Sequence, residues 1–303
     1  MKLAIFVCAF NEDQELISTV NELVGELHEL VKEKIIDDWS LLLIDDGSTD
    51  NTWRVILTLC QQTNIRGIRF SRSFGYHAAI SCGLEFSEGD WIVNITADGE
   101  EPPKYLRTLI LKSQEGYDIV WAIRSRRVGN YSTRLSSYLS HLILRSFTTT
   151  YNYPPHNIGG GYFLITKKAQ DVFRTIEDRQ RSVISLLNWI GFRQGFILYI
   201  QRPTKRPTRW GLVKKMNYFL DVFYADSAIP TKFSLYLALF ISLLMIPLLV
   251  ITFFHDNLYL PSIIILLCLI IIDIGLLAPY FWMNLQESRK RPLYIIAEET
   301  ERS

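Results

Sequence analysis

An α/β domain with a mostly parallel sheet, followed by two membrane-spanning helices, is the architecture this 303-residue sequence predicts. Three observations predict it. Short apolar runs alternate with helical patterns through residue 123, acidic clusters follow directly on several of those runs, and the composition turns strongly apolar near residue 230.

The elements follow in order. Leu3–Phe10 is a first strand. Leu16, Ile17, Val20, Leu23, Val24, Leu27, Leu30 and Val31 then recur at helical spacing. Leu41–Ile44 is a second strand ending in Asp45-Asp46-Gly47-Ser48, and Asp50 or Ser48 can cap the helix that carries Val55, Ile56 and Leu59. Gly67–Phe70 is a third strand, with a helix expected near 75–87. Trp91–Ile95 is a fourth strand, and the helix near 103–114 begins after Pro102-Pro103, where proline is tolerated. Asp118–Ile123 is a fifth strand. Such alternation argues for parallel strands with helices on both faces. Beyond residue 130 the pattern is less regular, with amphipathic spacing at 132–149 and 211–226. The second of these has lysines beside an apolar face, the pattern of a helix lying in a membrane interface.

Phe233–Phe254 carries no charge, and Leu258–Met283 carries only Asp273. Each is long enough to cross about 30 Å of hydrocarbon as a helix. His255-Asp256-Asn257 connects them without a basic residue. Lys205, Arg206, Arg209, Lys214, Lys215 and Lys232 precede the pair, and Arg289, Lys290 and Arg291 follow it. The positive-inside rule puts both ends in the cytoplasm. The expected division is a cytosolic domain over 1–210, an interfacial helix and linker over 211–232, two spans over 233–283 and a cytosolic basic tail over 284–303. Asp273, costly in lipid, is expected to face a neighbouring helix or an oligomer contact.

A net charge of +1 offers no field for nucleic acid. Cys8, Cys60, Cys82 and Cys268 are scattered without Cys-x-x-Cys spacing, as reduced cytosolic thiols are. The apolar N-terminus runs straight into Asn11-Glu12-Asp13 and reads as a strand, not a signal peptide.

The chemistry concentrates at Ile95-Thr-Ala-Asp-Gly-Glu-Glu-Pro-Pro103, where Asp98, Glu100 and Glu101 follow the fourth strand. Carboxylates at the carboxyl end of a strand lie where α/β domains bind ligands, and hard oxygen donors suit Mg²⁺ or Mn²⁺. Glu100 and Glu101 also suit a helix start, where the dipole favours acids. Asp45 and Asp46 lie where a base or ribose can donate to them, and their Asp-Gly-Ser setting also serves a turn. Arg124, Arg126 and Arg127 follow the fifth strand; arginine forks match phosphate, and a basic loop also suits anionic headgroups.

Phe10-Asn11-Glu12, Asp45 to Asp50, the acidic stretch at 96–101, Ser71-Arg-Ser-Phe-Gly75, Trp189 to Gln194, the two spans and Arg291-Pro-Leu-Tyr-Ile-Ile296 occur in order. Together they resemble family 2 glycosyltransferases of the GT-A fold. The combination is similar to the polyprenyl-phosphate group, which includes dolichol-phosphate mannose synthases and the bactoprenol glucosyltransferases of O-antigen (lipopolysaccharide) modification. The resemblance implies a nucleotide-sugar donor, UDP-linked by expectation, a polyprenyl phosphate acceptor such as undecaprenyl phosphate, and Mg²⁺ or Mn²⁺. It also implies a homo-oligomer, tetrameric in the family, in the inner membrane with its catalytic domain cytoplasmic.

Carried onto this chain, the resemblance puts nucleotide contacts at Phe10, Asn11, Glu12, Asp45 and Asp46. Arg209, in an Arg-Trp pair that closes over the site in relatives, is a diphosphate contact. Asp98 and Glu100 are expected to hold the metal, and Asp98, Arg124 and Arg126 to serve the reaction. Two departures stand out. The family pattern Asp-x-Asp-Leu-Gln-Asp-Pro-Pro has Thr96 for its first acid, with Glu100 for the glutamine and Glu101 for the last aspartate. Gly161 stands where many relatives have an aspartate, and His156 is a nearby substitute. A glycan synthase acting on a sugar hydroxyl and a non-catalytic membrane scaffold are the alternative readings.

Overall fold

A computed structural model describes residues 1–125, 158–176, 183–203, 229–254 and 259–300. The chain divides into two compact units. Of the described residues, the first holds 1–125, 158–176, 183–203 and 292–300, and the second holds 229–254 and 259–291.

The first unit is built on an eight-stranded sheet. Its strands are β1 (Lys2–Ala9), β2 (Asp38–Asp45), β3 (Ile65–Phe70), β4 (Trp91–Thr96), β5 (Ile119–Arg124), β6 (Ile158–Thr166), β7 (Gln194–Tyr199) and β8 (Ile296–Glu299). The order across the sheet is β7-β5-β6-β4-β1-β2-β3-β8. The β3-β2-β1-β4 half is parallel, as the alternation of strand and helix predicts. β6 runs antiparallel between β4 and β5, and β8 antiparallel along β3. The helices are α1 (Leu16–Lys32), α2 (Thr52–Leu59), α3 (Tyr76–Phe86), α4 (Leu106–Gln114), α5 (Lys167–Arg174) and α6 (Val183–Trp189).

Strands buried on both faces read as unbroken apolar runs, and β1 shows why. Leu3, Ile5, Val7 and Ala9 pack in one core with the apolar faces of α1, α2 and α4. Ala4 and Phe6, on the alternate face, pack in a second core with α3, α5 and α6. In α1, Leu16, Val20, Leu23, Leu27 and Leu30 are fully buried at helical spacing. Each contributes roughly 1.5–3 kcal/mol of apolar burial before ordering costs. The α3 layer sits close because Gly83 faces the Phe6 ring, and a Cβ there would overlap it. The helix expected after Pro102 opens as a 3₁₀ turn, Pro103–Tyr105, before α4. Asp50 receives the N–H of Thr52, the first residue of α2, at 2.9 Å.

The second unit holds α7 (Ile229–Phe254) and α8 (Tyr259–Ser288). Among the described residues one stretch is long and apolar enough to cross a membrane, Ile263–Ser288 of α8, whose most apolar 18 residues have a mean hydropathy of 2.7. Within those residues α7 contributes a shorter apolar stretch, Thr231–Pro247, so one of the two expected spans meets the requirement there. Ser234 of α7 donates to Asp273 of α8 at 2.6 Å, so this acid faces a neighbouring helix.

The expected tail over 284–303 is divided differently. α8 continues to Ser288, and Pro292 onward joins the first unit, where it supplies β8. Residues 126–157 and 204–228, with both irregular amphipathic segments, and the connector 255–257 lie outside the described residues.

Candidate active site

Parallel strands bring their carboxyl ends to one edge of the sheet. In register, Ala9 lies beside Asp45 and Cys8 beside Thr96, so the loops after β1, β2 and β4 are neighbours. β1 lies between β2 and β4, where successive connections diverge to opposite sides and leave a crevice at the strand ends.

The first two loops are knitted together. The Asn11 N–H donates to Ser48 Oγ at 2.9 Å, and Asn11 Oδ1 accepts the Thr49 N–H at 2.8 Å. These bonds hold Asn11 at φ 55°, a left-handed conformation asparagine tolerates. The Glu12 N–H donates to Thr52 Oγ1 at 2.8 Å. Phe10, beside them, is 40% exposed.

Asp45 and Asp46 are buried, and their oxygens serve the protein itself. Asp45 Oδ1 accepts the Ser48 N–H at 2.9 Å, and Oδ2 lies 3.4 Å from Arg69 Nε. Asp46 accepts N–H groups from Phe74 at 2.7 Å and Gly75 at 3.0 Å, and the Ser73 hydroxyl at 2.8 Å. It thereby satisfies backbone donors at the start of α3, where an acid is favoured. Burial pushes both carboxyls above the usual range, and these hydrogen bonds oppose the shift. Gly47, at φ 66° against the backbone of Arg72, closes the turn; a Cβ there would overlap Arg72.

The third loop separates its acids. Asp98 is exposed; its Oδ1 accepts the Thr96 hydroxyl at 2.8 Å and the Glu100 N–H at 3.0 Å. Asp98 Oδ2 has no hydrogen-bond donor among the described residues. Glu100 accepts a hydrogen bond from Gln201, and its carbonyl accepts the Arg202 N–H at 3.0 Å, so it braces the segment after β7. Glu101 is 2% exposed and accepts the Thr96 N–H at 2.9 Å. Burial pushes its carboxyl up to about 8; the Asp98 charge adds to the shift, and the Thr96 N–H and Arg124 oppose it.

Arg124 ends β5, with Nε donating to Tyr199 Oη at 3.2 Å. Among the described residues no group of three His, Cys, Asp or Glu side chains is arranged to hold a metal ion by itself. The donor set at Asp98 still suits Mg²⁺ or Mn²⁺ bound together with a diphosphate, because such ions take one or two carboxylates and fill their shell with phosphate and water.

The family model for glycosyl transferase family 2 matches residues 4–173, more than half of the chain. The chain belongs to glycosyl transferase family 2. Over 98% of its length this glycosyltransferase is 28% identical to an uncharacterised glycosyltransferase of Synechocystis sp., spanning 95% of that protein. It is also 27% identical, over 98% of its length and 93% of the relative, to the uncharacterised glycosyltransferase YkcC of Bacillus subtilis. A shorter match, 29% identical over 48% of this chain and 44% of the relative, is to the undecaprenyl-phosphate 4-deoxy-4-formamido-L-arabinose transferase of Salmonella paratyphi A. A solved mannosyltransferase from Pyrobaculum calidifontis, in complex with GDP-Man and Mn²⁺, aligns with 68% of this chain and 57% of its own. The TM-score is 0.47 and the identity 12%.

Of the predicted site residues, the structure gathers Phe10, Asn11, Glu12, Asp45, Asp46, Asp98, Glu100 and Arg124 at the carboxyl edge of the glycosyltransferase sheet. Arg126, Arg127, His156 and Arg209 lie outside the described residues. Two side chains with no role in the sequence analysis, Tyr76 and Asn94, lie beside Gly161. A Cβ at Gly161 would overlap the Tyr76 hydroxyl and lie 3.2 Å from Glu101 Oε1. Glu101 and Tyr76 thus occupy the space into which a side chain at 161 would project. Asn94, fully buried in β4, donates to the Tyr76 hydroxyl at 3.1 Å and to the Gly161 carbonyl. The signal was an asparagine inside Trp91-Ile-Val-Asn-Ile95: a buried amide needs partners.

Proposed function

We propose that this glycosyltransferase is an inverting, membrane-anchored enzyme that moves a sugar from a nucleotide diphosphate, UDP in our reading, to a polyprenyl phosphate at the cytoplasmic face. The observation that carries the reading is the presence of an exposed acid, Asp98, and a guanidinium, Arg124, on one sheet edge of a chain that also carries a membrane-length apolar helix. The undecaprenyl-phosphate activity of the shorter-matching Salmonella relative supports the acceptor class.

In this reading Asp98, with Glu100, holds a divalent ion that neutralises the donor diphosphate as its charge develops. Phe10, Asn11 and Glu12 contact the nucleotide, and Asp45 and Asp46 shape the loop that receives it. Arg124, with Arg126 and Arg209, binds phosphate oxygens. An acceptor phosphate oxygen attacks the anomeric carbon in line. The new carbon–oxygen bond forms as the bond to the diphosphate breaks, and UDP leaves with the electron pair. A phosphate nucleophile is already anionic near neutral pH, so no side chain has to remove a proton from it.

Chain connectivity supports two crossings. The chain belongs to the first unit before α7 and again after α8, where β8 joins the sheet, so any membrane crossings made by the intervening helices are even in number. Assembly as a homo-oligomer in the inner membrane, feeding cell-surface glycan modification, belongs to the same reading. Radiolabelled UDP-sugars supplied to membranes with undecaprenyl phosphate and Mg²⁺ or Mn²⁺ test it. A lipid-linked labelled product is expected; none with any common donor overturns the reading.

A further inference from the structure

The last described residues reach both acids of the β2 loop. β8 pairs along β3 with Arg69 opposite Glu298 and Phe70 opposite Ile296, a register that shifts between the two. Glu298 Oε1 accepts from Arg69 NH1 at 2.8 Å, and its Oε2 accepts from Trp53 Nε1 at 3.0 Å. The same guanidinium presents Nε to Asp45 Oδ2 at 3.4 Å. Among the described residues that buried oxygen accepts no hydrogen bond, and Arg69 is the cation beside it.

A second connection runs to Asp46. The Ser71 N–H donates to the Ile295 carbonyl at 2.9 Å, and Tyr294 stacks on Phe70 at 4.8 Å between centroids. Phe70 in turn meets Phe74 edge-on at 5.9 Å. Phe74 and Gly75 are the residues whose N–H groups Asp46 grips.

We propose that the strand after the apolar helix is a positioning element of the nucleotide site, with Glu298 fixing Arg69 against Asp45. An arginine side chain is long and loses much freedom when held, so an anchor on its far nitrogen decides how often it faces a buried acid. Without that anchor the guanidinium turns to water, and the buried Asp45 charge loses its compensation. The inference rests on the reading of the β2 loop as a nucleotide site.

Calorimetric titration of the full-length protein in detergent with UDP and Mn²⁺ tests it. Glu299→Ala is the control, because Glu299 sits on the same strand and pairs with Arg66 at 2.6 Å, away from both acids. Glu298→Ala is expected to weaken UDP binding about twofold to fivefold, the range for losing a partly exposed charge pair. Glu299→Ala is expected to bind as the wild type does, with both variants melting at similar temperatures. Glu298→Gln, which keeps an acceptor for Arg69 and is the milder change at this exposed position, is expected to fall between. Equal UDP affinity in the wild type, Glu298→Ala and Glu299→Ala overturns the inference and leaves the nucleotide site standing. A wild type that does not bind UDP removes the nucleotide reading and the inference with it.

Discussion

Asp98 and Glu101 are three positions apart and live in different physical worlds. Asp98 is exposed, with one oxygen open among the described residues, and Glu101 is buried against Thr96, Tyr76 and Gly161. Asp98→Asn is expected to lower transfer activity by at least about a hundredfold, since the carboxylate proposed to hold the divalent cation against the developing diphosphate charge is lost. If Glu100 shares the ion, Glu100→Gln shifts the Mn²⁺ dependence of activity. A metal titration unchanged by Glu100→Gln assigns Glu100 to its Gln201 contact alone. Glu101 has a stability signature. Burial pushes its carboxyl up to about 8 in the folded chain, above the ordinary glutamate value of 4.5. Between those values the folded chain keeps a proton that the unfolded chain releases, so its contribution to stability is full below the lower value and lost as pH rises through the upper one. Glu101→Gln keeps an acceptor for the Thr96 N–H and does not titrate. In metal-free buffer its melting temperature should therefore gain on the wild type by at least about 3 °C between pH 5 and pH 8. A constant difference contradicts this assignment.

At the scale of elements, the site depends on how closely α3 lies on β1, because α3 begins at the backbone groups that Asp46 holds. Gly83 sets that distance against Phe6. Gly83→Ala gains helix propensity of about 1 kcal/mol and overpacks the contact by about 1–3 kcal/mol. A lower melting temperature with unaltered secondary structure by circular dichroism is expected, and a higher one shows that the Phe6 ring can give way. The strands and helices of the first 125 residues were legible because the strands read as short apolar runs and α1 keeps the helical period, with Leu16, Val20, Leu23, Leu27 and Leu30. β6, β7 and β8 were not. β7 exposes Phe196 and Leu198 while burying Ile197 and Tyr199, so its apolar residues do not mark one face. β8 reads Ile-Ala-Glu-Glu, which carries no strand period and is held by its pairing with β3.

For the whole molecule, the apolar helices predict where the protein partitions. Full-length protein should sediment with membranes, remain there in alkaline carbonate and dissolve only in detergent. A cysteine introduced at Asp256, in the basic-free connector, should react with a membrane-impermeant maleimide added to intact cells, because two crossings put that connector outside. Labelling only after lysis contradicts two crossings, and release into the carbonate supernatant contradicts membrane anchoring.

The sequence by itself determined the class of domain, the apolar C-terminal helices and the sheet edge on which the site residues gather. These follow from local periods and from the rule that parallel strands present their carboxyl ends together. It did not show which carboxylates face outward. Asp45 and Asp98 look alike in a string of letters, yet Asp45 is completely buried beside Arg69, and Asp98 is exposed. That difference, the filling of the space at Gly161 by Tyr76 and Glu101, and the return of the last residues to β3 all arise between segments far apart in the chain. Tertiary structure decided them, because burial and charge compensation depend on what lies across the gap and no local pattern encodes it.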